Sequence, residues 1–122
     1  MVSGEDEQTL GDNYFFLPKY EALDVGYPDG AIIYKSPEKN LFKEIKIKKE
    51  VVSVEHNRDF IIAIQESNNN SFEIGNSHIE ERNFLNYFII VKKTNHVYGP
   101  FKYSDYVSMR KELKVPNNLM FK

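Results

Sequence analysis

The chain has 122 residues, enough for one domain with one sizeable core and too few for separate cofactor and substrate domains. Apolar residues make up 41 %, which excludes a disordered chain, and a formal net charge of −2 leaves no broad footprint for nucleic acid. Cysteine is absent, which excludes disulfides, iron–sulfur clusters and thiolate metal sites.

Residues 1–12 read as a flexible polar leader, and residues 13–122 as a single α+β domain. The leader lacks the basic and apolar regions of a signal peptide. It fits a tether left when an export signal is removed, and equally an ordinary frayed terminus. No run approaches the roughly 20 apolar residues that a spanning helix needs. Tyr14 to Leu17, between Gly11-Asp12-Asn13 and Pro18, predicts the first strand. Pro28-Asp29-Gly30 then marks a turn, since proline presets φ and glycine accepts positive φ. Ala31 to Tyr34 predicts a second strand, broken by Ser36-Pro37. From Phe42 to Lys48, Ile45 and Ile47 alternate with Lys46 and Lys48. That period of two predicts a half-buried strand with its lysines facing solvent or guarding an edge.

Val51 to Gln65 predicts a hairpin turning at His56 to Asp59. Phe60, Ile62 and Ile64 share one face of its second strand, while Ile61 and Ala63 make the other face apolar too. A central strand covered on both sides follows, with the terminal helix expected over the second face. Ser67 to Asn83 is polar and weakly specified, with an Asn-rich loop at Ser67–Ser71 and capping-box spacing from Ser77 to Glu80. Tyr87 to Phe101 predicts a second hairpin, turning at Thr94-Asn95 and stopped by Gly99-Pro100. Ser104 or Asp105 can cap a helix running to about Leu113, with Tyr106, Met109 and Leu113 on one face. Val115-Pro116 ends that helix, and Leu119 to Phe121 return apolar material to the core. The expected fold is a mostly antiparallel sheet of five to seven strands with the C-terminal helix packed against it.

Four stretches, Tyr14-Phe-Phe-Leu-Pro18, Asp24 to Ser36, the Tyr87–Phe101 hairpin and Arg110 to Pro116, resemble a family of small bacterial proteins of the Bacteroidetes type. Several members look exported or lipoprotein-like. The resemblance implies the cell envelope or periplasm, with a lipid anchor in the precursor, and carries no catalytic assignment. The second hairpin also resembles one used in propeller blades, but four blades of about 40 residues exceed this length.

Candidate chemistry is thin. His56 lies near Glu55 and Asp59, yet adjacent strand positions face opposite ways and no second histidine stands at ligand spacing. His78 and His96 read as a helix-start residue and a turn neighbour. Glu21, Asp24 and Asp29 could gather oxygen ligands, but they lack an EF-hand pattern and equally satisfy turn amides. There is no phosphate-cradling loop or nucleophile elbow. No catalytic, cofactor-binding or metal residue is therefore assigned, and no cofactor is expected. Tyr27, Tyr34, Tyr98, Tyr103 and Tyr106 can instead supply rigid amphipathic contacts to a protein partner. The sequence favours a noncatalytic protein-interaction module of the cell envelope over an enzyme. An immunity or inhibitor protein against a toxin is one alternative, and a small hydrolase or metal-binding protein another.

Overall fold

Phe60–Asn69 begins as a strand apolar on both faces, so it needs cover from two directions. The computed structural model describes residues 8–18, 31–38, 41, 44–48, 50–69 and 82–121, and within them that cover comes from two different layers. Eight strands are described: β1 (Gln8–Gly11), β2 (Tyr14–Leu17), β3 (Ile32–Lys35), β4 (Glu44–Ile47), β5 (Val51–His56), β6 (Phe60–Asn69), β7 (Arg82–Val91) and β8 (His96–Phe101). The helix α1 (Tyr103–Leu113) follows β8 directly.

The strands form two antiparallel four-stranded sheets, β1-β2-β3-β4 and β5-β6-β7-β8. The expected single sheet is thereby corrected. Alternation along β6 reports that both faces are buried, but not that a separate sheet buries one of them. Ile61 and Ala63 of β6, with Phe88 and Ile90 of β7, meet Leu10, Tyr14, Ile33 and Ile47 of the first sheet. On the opposite face Ile62 and Ile89 pack with Tyr106, Val115 and Leu119. The terminal helix and tail cover the Ile62 face, whereas the second face, with Ile61 and Ala63, where the helix is expected, is covered by the first sheet. Full burial contributes about 1.5–3 kcal/mol for each such isoleucine, so the sandwiched β6 and β7 dominate the core.

Local chemistry explains the turns. Asp12 and Asn13 both have positive φ, 53° and 69°, the type I′ geometry that suits a two-residue hairpin. Gln8–Gly11, inside the stretch assigned to the leader, is therefore a strand, and Leu10 is fully buried. At the β5–β6 turn, Asn57 Oδ1 accepts the N–H groups of Asp59 and Phe60, each at 2.8 Å. The β7–β8 turn spans Lys92–Asn95, with Asn95 left-handed at φ 63°.

Several boundaries differ from expectation. Lys46 is an extra residue opposite the Ile33–Tyr34 step, a bulge that turns Ile47 towards the inter-sheet core and Ile45 towards the outer cluster of Leu17, Ile32 and Tyr34. The predicted common face of Ile45 and Ile47 is thus split. Ser67 to Asn69 continue β6 instead of forming a loop, and β7 starts at Arg82, because the two strands pair with each other throughout. Gly99-Pro100 lies inside β8 as a bulge instead of ending it. Lys102 occupies the N-cap of α1 without a side-chain bond, so neither Ser104 nor Asp105 caps it. The Gly26–Gly30 turn and the Ser77–Glu80 cap fall outside the described residues.

Gly99 has φ +129°, and a Cβ there would stand 2.6 Å from the Tyr87 carbonyl oxygen and 2.9 Å from Phe88 Cδ2. Gly99→Ala should therefore cost about 2 kcal/mol or more, from backbone strain and a clash with fixed backbone. Urea denaturation checks it, with Lys93→Ala on the exposed turn as control. A Gly99→Ala loss no larger than that of the control would show that the bulge relaxes.

Candidate functional site

The turns β1–β2, β5–β6 and β7–β8 are joined through one buried cation. Lys92 is only 5 % exposed, and its Nζ donates to the Leu10 carbonyl and, at 2.7 Å, to the Asn57 carbonyl. Burial pushes the Lys92 ammonium below the usual lysine range, while Asp12 and Asp59 pull it back up. Beside it, Asn95 collects donors from the other sheet. Its Oδ1 accepts Tyr14 OH at 2.6 Å and Lys35 Nζ at 2.5 Å, and its carbonyl accepts Lys46 Nζ at 3.3 Å. Lys35 also lies over the Tyr14 ring. Burial, with help from Glu44 and Asp12, pushes the Tyr14 phenol up to about 12. These groups are committed to holding the sheets together.

His56 borders this region. Burial lowers its imidazole below the ordinary histidine value and Lys92 adds to the effect, while Glu55 and the Leu10 backbone oppose it. Ser53, Glu55 and His56 line one groove of about 410 Å³ along β5, together with Phe16 and Phe121. No hydrogen bond joins the three side chains, and strand alternation sets His56 against Ser53 and Glu55. A nucleophile–base–acid relay is not assembled there. His96 is exposed and packs against Tyr98, with ring centroids 4.2 Å apart. Among the described residues no group of three His, Cys, Asp or Glu is placed to hold a metal ion. Glu21, Asp24, Asp29, Tyr27 and His78 lie outside the described residues. Lys46 is not a solvated edge lysine. It pairs with Glu44 at 2.6 Å and its side chain is only 11 % exposed, whereas Lys48 is exposed.

The other feature is aromatic. Tyr87 on β7 packs against Tyr103 and Tyr106 of α1, with centroids 5.3 and 5.0 Å apart, and against Phe121 at 6.2 Å. These rings, with Ile64 and Met120, line a cleft of about 380 Å³. Arg110 braces it, donating to Tyr106 OH at 3.1 Å, to the Leu119 carbonyl at 2.7 Å and to the Pro116 carbonyl at 2.9 Å. Those bonds fix the tail carrying Met120 and Phe121 onto the helix. Tyr103 and Met120 are 58 % and 55 % exposed, so the rim is open. Leu85, two residues before Tyr87 and on the same face, is also exposed.

Of the tyrosines singled out from sequence, Tyr103 and Tyr106 are the only ones among the described residues that enter this cleft. Tyr34 is fully buried and stacks on Phe15, and Tyr98 packs beside His96. Tyr87, Leu85 and Met120 escaped the sequence reading. Tyr87 shares alternation with Ile89, which marks its face as apolar, but nothing local shows that α1 stops short of covering it.

The chain belongs to the family described as protein of unknown function (DUF3997), which matches residues 13–122. No curated protein and no solved structure matches it. No helix among the described residues is long and apolar enough to cross a membrane.

Two outcomes follow from the buried turn cluster. Lys92→Met leaves the Leu10 and Asn57 carbonyls without their donor and should cost about 2–4 kcal/mol in urea denaturation. A loss below about 0.5 kcal/mol would mean that the ammonium is dispensable. The lowered His56 value means that the unfolded chain binds this proton more tightly than the folded one. Stability from neutral His56 is present above the unfolded value near 6.5 and is lost as pH falls through it towards the folded value. His56→Gln should flatten that part of the stability–pH curve. Parallel curves for the two proteins would assign the acid loss to other groups.

Proposed function

We propose that this domain is a noncatalytic protein-binding module whose contact face is the tyrosine cleft between β7 and α1. One observation carries the reading: rigid aromatic rings, braced by Arg110, line an open cleft rimmed by exposed apolar side chains. Tyrosines held in place lose little entropy on binding and offer an apolar ring with a polar tip, the chemistry of interface anchors. An exposed cluster of this kind in a soluble domain is a recurrent mark of an interaction site. The cluster of titratable groups at the opposite feature, by contrast, is consumed in structural bonds.

The cell envelope is the proposed setting, supported by the sequence resemblance to exported, lipoprotein-like bacterial proteins. An immunity or inhibitor role is the narrower form of the same reading, since such proteins block a partner through a preformed surface. A stoichiometric partner whose enzymatic activity falls on binding distinguishes that form from envelope assembly.

The test places a photo-crosslinking amino acid at Tyr103 and enriches the tagged protein from its native cells. A single near-stoichiometric partner crosslinked at position 103 is expected, with capture reduced about tenfold or more by Arg110→Met, which frees the tail. Crosslinks scattered over many proteins, or capture indifferent to Arg110→Met, would sink the cleft as the contact face.

A further inference from the structure

A second groove, of about 630 Å³, adjoins the tyrosine cleft, and Val107, Arg110 and Met120 border both. It lies between the last turns of α1 and the tail. Val115, Pro116 and Met120 give it apolar surface, while Lys111, Lys114 and Asn117 supply polar atoms. The Arg110 bonds to the Pro116 and Leu119 carbonyls set the spacing of its two walls. Lys114, left-handed at φ 63°, closes the helix and starts the return of the tail.

This groove has one sign of charge. Arg110, Lys111 and Lys114 line it, and no carboxylate among the described residues does. Arg110 bonds only neutral partners, the Tyr106 hydroxyl and two carbonyls, so nothing there offsets its charge. Lys111 and Lys114 are exposed and form no ion pair among the described residues. At about 100° per residue, Asp105 and Glu112 fall roughly 160° and 140° around the helix from Val107, on the side away from the groove. Cations in a last helical turn ordinarily offset the helix dipole, but that dipole amounts to only about half a charge. Three cations exceed it several-fold. Glu66 follows Ile64 on one face of β6, so the nearest acid along that strand stands at the tyrosine end. The joined grooves are therefore polarised, aromatic beside β7 and cationic beside the tail.

We propose that the contact face runs through both grooves, and that its occupant is a protein segment joining an apolar anchor to acidic residues. The anchor, a bulky apolar or aromatic side chain, sits among the tyrosines, and neighbouring Asp or Glu side chains face Lys111 and Lys114. A concave site that sets an aromatic seat beside unpaired cations suits a segment carrying both chemistries. A flat anionic surface would meet the exposed rims alone. The apolar anchor supplies most of the affinity, and the charges supply choice of partner and rate of encounter. The inference rests on the tyrosine cleft being the binding face and names the partner chemistry for it.

The test selects random linear dodecapeptides on display against the full chain, then measures synthetic copies of the selected sequences. Peptides with Asp or Glu next to a bulky apolar residue should emerge. Lys111→Glu combined with Lys114→Glu should weaken them about tenfold or more, and Tyr103→Ala about tenfold. Lys93→Glu, on the exposed β7–β8 turn, should change binding by less than about twofold. High salt should weaken the native protein's binding and narrow its advantage over the double variant. Tyr103-dependent peptides that lack acidic residues and tolerate both lysine reversals would overturn the acidic partner while leaving the cleft reading intact. Acidic peptides that need the lysines but are indifferent to Tyr103→Ala would overturn the cleft, and with it the joined site. Failure to select any peptide would overturn the proposal. Binding to phosphatidylglycerol vesicles, lost in the double variant, would then make the occupant an anionic membrane surface.

Discussion

The architecture depends on β6 and β7 being apolar on both faces. Ile61 and Ala63 cannot share a covering layer with Ile62, because successive side chains of a strand point opposite ways. Two covers are needed, and the chain provides them from its two ends. The β1–β4 sheet lies over one face, and α1 with the tail to Phe121 lies over the other. Removing either cover would expose fully buried isoleucines, so both layers share the stability of one central pair.

Apolar contact alone would let the first sheet slide over the second. Polar bonds at the turns fix its position. Lys92 reaches from the β7–β8 turn to the β1 bulge and the β5–β6 turn, and Asn95 receives donors from β2, β3 and β4. Such bonds are directional and lie in a partly dry environment, where leaving one unmade costs more than making it gains. The lowered Lys92 and raised Tyr14 values are consequences of this enclosure. They mark a structural clamp, which is why perturbed titration here does not indicate catalysis.

The same economy of structure separates protected from open surface. Bulges kink all four edges of the described sheets. The unbulged projection of β6 and β7 lies next to the braced tyrosines of α1. Exposed apolar side chains and braced aromatic rings therefore meet at one place on the molecule. Elsewhere, polar groups near a groove, such as Ser53, Glu55 and His56, are neighbours in sequence without being partners in space.

The sequence by itself determined most of the strands, the helix, and the apolar character of both faces of β6. Alternation at Phe60–Ile64, the Tyr106–Met109–Leu113 spacing and the Leu119–Phe121 return each carry that information locally. Even β1 had a signal, since Asp12-Asn13 suits a type I′ turn, though the polar residues before it outweigh that signal. Tertiary structure alone decided that two sheets, instead of one, answer the demand for cover. It also decided that Lys46 is a bulge, that Tyr34 is buried and that Tyr87 is at the cleft. The physical reason is that periodicity reports whether a face is apolar, whereas the identity of its cover depends on pairing between distant segments. A bulge and a buried lysine are properties of those long-range pairings, and no single segment encodes them.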